Sequence, residues 1–281
     1  MTDNAQERGR VAAEVRSALA DGEREAAEEL VAANWRLWLV SGEVAEGRRL
    51  LTDVLDSGEP KPTRARALSL YADGVLAFRQ GAEDDSRARS EAALEVARAV
   101  GDREAEALAL VGLSRIAFRE GDYDRVRSLA SEARELTHGL EPAAGTAPLH
   151  LLAAGTRLAG DHDEAVRLYT ESLDLNSRLG DRRVVAMEHH NLGHVELHRG
   201  NVDAAERHFA EADELRNCDD PYDRAMAALN EAALAVMRGE RDRARELLAR
   251  VEATLADAAI TLDPDDAHEI EWLRSQLAGV S

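Results

Sequence analysis

Residues His189–Ala212 read HHNLGHVELHRGNVDAAERHFAEA, and two helical patterns meet in this stretch at Gly200. Leu192 and Gly193 lie on the first pattern, and Ala205, Phe209 and Ala212 lie on the second. A glycine between them supplies the left-handed backbone that lets one helix turn back along the other. The same punctuation recurs along the chain at Gly42, Gly81, Gly121, Gly160, Gly200 and Gly239, at intervals of 39, 40, 39, 40 and 39 residues. Each of these glycines follows an apolar helical run, such as GVLAFRQG or SRIAFREG, and precedes a second helical run. Gly101 and Gly180, each followed by Asp, close the second helix in the same way and leave the Asp to cap the next. Regular periods of this length are the mark of stacked helical hairpins.

Composition agrees. The 281 residues are 44% hydrophobic and 32% charged, with 4% aromatics and six prolines, and strong helix formers dominate. An all-α chain is expected. Its formal net charge of −20 argues against non-specific nucleic-acid binding and against docking on an anionic membrane. Lys61 is the sole lysine, so nearly all positive charge is arginine, which favours planar bidentate contacts. A single cysteine, Cys218, leaves no internal disulfide and no cysteine-based zinc site. No apolar run opens the chain and none approaches the length of a membrane span, so a cytoplasmic location is expected.

The quoted stretch resembles the tetratricopeptide (TPR) repeat, with Leu192, Gly193, Gly200, Ala205, Phe209 and Ala212 on the matching positions. GDHDEAVRLYTESLDL repeats the pattern with Gly160, Ala165 and Tyr169. The usual unit is 34 residues, and the longer period fits an extended second helix ending in LGD. That variant, and NWRLWLVSGEVAEGRRLLTDVL (Asn34–Leu55) in particular, is similar to the carboxy-terminal TPR region of actinobacterial ATPase-type transcriptional regulators. The likeness runs from about Val11 to Leu255. The ATPase and DNA-binding parts are absent from this sequence, which has no GxxxxGK[ST] loop and no remaining helix-turn-helix candidate. The resemblance implies a right-handed superhelix of about six helix-turn-helix repeats with capping helices at both ends.

The expected boundaries are an N-terminal capping helix over 1–24, repeats at 25–58, 64–101, 103–139, 146–180, 183–217 and 221–258, and a C-terminal capping helix over 259–281. GLEPAAGTAP (Gly139–Pro148) is the longest break. Asp84, Asp85 and Ser86, and then Glu231, replace small or apolar residues, so their repeats are expected to pack loosely. In the last helix, Ile270, Leu273 and Leu277 form a stripe that can cover the final repeat, while Glu269, Glu271 and Arg274 are expected to face water.

In the family, the first helix of each repeat lines a concave groove where peptides bind. Five inward positions per repeat give thirty, of which five are Arg, four His and one acidic. Thirty positions drawn at random from a chain with 55 acids in 281 residues would hold about six acids. The wall is therefore basic within an acidic chain. Its candidate ligand-binding residues are Arg36, Tyr71, Phe78, Arg79, Arg115, Phe118, Arg119, His150, Arg157, His190, His194 and His198. Guanidinium forks beside aromatic rings suit an anionic, partly apolar ligand. Alternatively, these arginines pair with Asp73, Glu120 or Glu196 and act as struts.

His190, His194 and His198, four apart, share one helix face, and His150 matches His190 one repeat earlier. Such a ladder could share a metal, but no carboxylate or cysteine converges on it at a recognisable spacing, so no metal and no cofactor is expected. A rim that gains charge and binds anions better as pH falls is the favoured reading. His189 reads as a packed core histidine, and Trp35, Trp38 and Trp272 as packing anchors. No nucleophile elbow, phosphate loop or isolated carboxylate pair marks an enzyme.

The expected function is a binding module for an acidic peptide or partner protein, in a regulatory or scaffolding role. A sensor of an anionic metabolite and a groove-sited biosynthetic enzyme are the alternatives. A homodimer through the solenoid ends would be compatible with the fold.

Overall fold

The computed structural model describes residues 2–258 and 260–278. Among them there is no strand, and fifteen α-helices follow one another. After α1 (Thr2–Ala20), the first hairpin is α2 (Arg24–Asn34) and α3 (Arg36–Val40) followed by α4 (Val44–Leu55). Five more hairpins follow: α5 (Arg64–Arg79) with α6 (Glu83–Val100), α7 (Arg103–Arg119) with α8 (Tyr123–Thr137), and α9 (Thr146–Leu158) with α10 (His162–Leu179). The last two are α11 (Arg182–His198) with α12 (Val202–Leu215) and α13 (Pro221–Met237) with α14 (Arg241–Asp257). α15 (Pro264–Ala278) ends the described chain. No described helix is long and apolar enough to cross a membrane.

The six periodic glycines all adopt positive φ, between 74° and 89°, and each follows its first helix within a few residues. Gly101 and Gly180 are left-handed C-caps, and the next residues, Asp102 and Asp181, cap α7 and α11 by accepting from the Ala105 and Val184 amides. The first helix of the first hairpin is interrupted at Trp35. There the Trp38 amide donates back three residues, to the Trp35 carbonyl at 3.2 Å, which tightens the turn into two short helices. Gly139–Pro148 includes a short 3₁₀ helix over Pro142–Gly145.

The chain forms two compact units, one of residues 1–120 with 128–144 and the other of 121–127 with 145–281. In the first, Trp35 and Trp38 are buried among Val11, Val15, Val31, Leu51, Val54 and Leu76. In the second, Phe209, Met226, Leu229, Val251, Ile270 and Leu273 form one core. Close approach of the paired helices depends on small residues. A Cβ at Gly193 would lie 2.2 Å from the Phe209 ring, and one at Gly155 would lie 2.7 Å from Val126. Nor is the second repeat loose at its polar positions. Ser86 is buried and donates to the Gly74 carbonyl at 2.9 Å, and Asp85 meets Arg48 at 3.0 Å.

Ion pairs within the first unit bridge successive helices. Asp73 is fully buried between Arg48, at 3.2 Å, and Arg89, at 2.8 Å, and buried Glu28 meets Arg24 and Arg66 at 3.2 and 3.1 Å. None of these four arginines is among the predicted wall residues.

Gly193→Ala adds helix propensity of about 1 kcal/mol but forces a methyl into the Phe209 ring, and overpacking of this kind costs about 1–3 kcal/mol. The variant should therefore unfold at lower denaturant than the native protein. Adding Phe209→Leu should recover part of that loss in the same urea titration.

Candidate functional site

α11 starts at the Asp181 cap and stops before Gly200, so His190, His194 and His198 stack along one face of an unbroken helix. That face is covered. α15 lies on it, and its Pro264 start places Asp265 and Asp266 in the first turn with Glu269 one turn further on. His190 Nε2 lies 3.1 Å from Asp266, His194 Nδ1 3.1 Å from Glu269, and His198 Nε2 3.0 Å from Glu269. Arg157, from α9, donates to Asn191 Oδ1 at 3.0 Å and to the Asp265 carbonyl at 3.2 Å, and its guanidinium stands 3.6 Å from Glu269. Tyr222 donates to Asp266 at 2.7 Å.

The sequence placed Glu269 in water and found no carboxylate near the histidines; the structure corrects both. Glu269 is 0% exposed, and Asp265, Asp266, Arg157, His190 and His194 are buried with it. Glu271 and Arg274 are exposed and pair with each other, and the apolar edge of α15, Ile270 and Leu273, packs against the last repeat. One helix therefore uses two adjacent edges, one apolar and one acidic.

His150 is also engaged within the chain. Its Nδ1 lies 3.1 and 3.2 Å from the two oxygens of buried Glu188, which also accepts from Ser172 at 2.6 Å. His189 is half-buried, with its Nδ1 3.1 Å from that of His208. Five buried polar atoms around Arg157 and α11 lack a hydrogen-bond partner: Arg157 Nε, Tyr169 Oη, His190 Nδ1, Asn191 Nδ2 and Asn230 Nδ2.

Burial disfavours the Glu269 anion, but His194, His198 and Arg157 outweigh it and hold the carboxyl well below its usual range. Burial and the neighbouring Asp266 push Asp265 up, and burial pushes Asp266 up against the Tyr222 hydrogen bond. Burial drives His190 well below the usual imidazole range, with His194, Arg216 and Arg157 adding to the effect. With α15 seated on it, the ladder is not an open rim. His190 is held neutral inside the protein.

The predicted residues of the first unit divide differently. Tyr71 and Phe118 are buried; the Tyr71 ring sits edge-on to Trp35 at 6.1 Å within the core rather than on an open wall. Arg36 is exposed over the Trp35 ring at 4.5 Å. Arg119 lies over the half-buried Phe78 ring at 3.6 Å and donates to the Phe78 carbonyl at 3.2 Å. Exposed Arg79 and half-buried Arg115 take part in no ion pair among the described residues. Asp73, Glu120 and Glu196 pair with Arg48 and Arg89, with Arg87 and with Arg199, so these acids do not neutralise Arg79 or Arg115. A depression of about 390 Å³ lined by Arg16, Glu43, Glu46, Arg49 and Asp53 contains none of the predicted site residues.

The tetratricopeptide repeat family model matches residues 146–217, the stretch that carries Arg157 and the histidines. No match is found among curated proteins. Solved structures share the fold. A Rap protein complexed with competence and sporulation factor aligns over 96% of this chain and 80% of its own, with a TM-score of 0.65 and 16% identity. NprR in complex with its cognate peptide NprX aligns over 89% and 72%, with a TM-score of 0.64 and 16% identity. BtubC from P. vanneervenii aligns over 84% and 93%, with a TM-score of 0.58 and 21% identity.

Two outcomes follow for the second unit. Glu269→Gln leaves Arg157 and two imidazoles without their anion, and breaking a buried pair costs about 3–5 kcal/mol. Denaturant unfolding of this variant should show that loss, while Glu271→Gln on the exposed side should stay within about 0.5 kcal/mol of the native protein. The second concerns pH. His190 has a folded value depressed below 6.5, so the unfolded chain binds a proton there that the folded chain refuses. The stability it contributes is present above pH 6.5 and falls as pH drops, by up to about 1.4 kcal/mol per pH unit. Asp265 and Asp266, with raised values, act in the opposite sense at lower pH. Urea titrations between pH 7.5 and 5.5 should therefore show a steeper decline for the native protein than for His190→Gln, which keeps a donor to Asp266 but cannot titrate.

Proposed function

We propose that this protein is a helical-repeat binding module whose basic wall takes an acidic, amphipathic helical segment, in a regulatory or scaffolding role. The observation that carries this reading is α15 itself. Its acidic edge (Asp265, Asp266, Glu269) meets Arg157, His190, His194 and His198, while its apolar edge enters the core. The wall residues thus select an acid-edged helix, and the chain provides one example in cis.

The first unit offers the same chemistry to an outside segment. Arg79 and Arg115 are without ion-pair partners among the described residues, and Arg119 and Phe78 form a cation–π platform beside them in sequence and fold. A carboxylate-bearing partner would supply the missing anions, and bidentate pairing gives such contacts geometric specificity. The Rap protein complexed with competence and sporulation factor and NprR in complex with its cognate peptide support the reading as cases in which a fold of this type holds a partner.

The reading is tested with a labelled amphipathic helix carrying Glu at every fourth position, mixed with the full chain and followed by fluorescence anisotropy. Arg79→Glu with Arg115→Glu should weaken capture by a hundredfold or more while leaving the helical circular dichroism unchanged. Binding should also decline steeply with salt. Capture that is insensitive to both arginines would overturn the proposal.

A further inference from the structure

At the surface end of the His ladder the donors gather. His198 of α11 and His268 and Glu269 of α15 each offer one ligand atom, and all three atoms lie within 4.8 Å of one another. His162, at the start of α10, stacks on the His198 ring at 5.6 Å with 28° between the planes. Trp272 sits edge-on to His198 at 5.2 Å and closes the apolar side.

We propose that His198, His268 and Glu269 form a binding site for a divalent transition ion of the zinc class, which ties α15 to α11. Two imidazoles and a carboxylate without thiolate match the donor set of zinc and its first-row neighbours. His198 Nε2 and Glu269 Oε2 are 3.0 Å apart, close to the edge of about 3.3 Å that a tetrahedral ion with bonds near 2.05 Å requires. The third donor closes by rotation of His268, whose side chain is exposed. On binding, the ion replaces the hydrogen between His198 Nε2 and Glu269, and the His198 proton resides on Nδ1. A water completes the coordination.

The groups behind the donors suit this role. Metal-ligating carboxylates and imidazoles are oriented by hydrogen bonds from a second layer. Glu269 is fixed from behind by His194 Nδ1 at 3.1 Å and by the Arg157 guanidinium at 3.6 Å. The site draws on two helices that meet only when α15 is seated, and its occupancy therefore reports that seating. The ion would bind whether or not an outside helix does.

The test uses the full chain freed of metal with a chelator, then titrated with Co²⁺ and with Zn²⁺. One equivalent of Co²⁺ should give the intense visible absorption of a tetrahedral site and quench the Trp272 fluorescence, and Zn²⁺ should displace it. Zn²⁺ should also raise the thermal midpoint, and a chelator should reverse the rise. His268→Ala should weaken binding by at least about tenfold. This side chain is exposed, so the variant should fold. His138→Ala, at an exposed histidine just past the end of α8 whose side chain meets Glu135, should change nothing. The quenching should vanish in Trp272→Phe while the absorption remains. No binding at micromolar metal, or binding unchanged in His268→Ala, would overturn the proposal.

Discussion

Glu269 is an anion with no solvent of its own, and the second unit is arranged around making it tolerable. Burying a carboxylate costs several kcal/mol even after relaxation, and only well-placed cations and donors recover that cost. Here the recovery comes from three side chains on two helices, Arg157 on α9 and His194 and His198 on α11, all reaching one side chain on α15. Each of those helices therefore has to sit where its repeat places it. A one-residue slip of α11 would turn its histidines about 100° away from the carboxylate.

That precision is supplied by plain packing. The positive-φ glycines fix where each hairpin turns, and the absent side chain of Gly193 lets the Phe209 ring seat against the helix that carries the ladder. Apolar and acidic edges of α15 then cooperate: Ile270 and Leu273 set its depth and the carboxylates set its register. Tyr222 and Asn191 contribute hydrogen bonds that the charges alone do not require, and they make the arrangement directional.

The hairpins were legible in the sequence because a glycine with positive φ leaves a local trace, and its even spacing excludes coincidence. The seat of α15 was not legible, because Asp265, Asp266 and Glu269 have an ordinary local explanation. Acids in the first turn of a helix complement its dipole, and acids opposite an apolar stripe normally face water. What decides their fate is a tertiary fact, the acid-poor wall roughly seventy residues earlier. A combined signal was present: four histidines and Arg157 on inward positions, and a terminal helix with acids four apart beside its apolar stripe. Tyr71 was misplaced for a related reason. An aromatic on the inner stripe and one in the core differ by a fraction of a helical turn, and Trp35 decides between them by offering an edge to stack on.

The seating of α15 also bears on competition for the wall. Only the residues between Asp257 and Pro264 join it to the hairpin it covers, so its local concentration at the wall is set by a short tether. Tethers of that length correspond to millimolar effective concentrations. A free helix of equal intrinsic affinity would need to approach that level to take its place. The second unit is thereby insulated against casual acidic competitors.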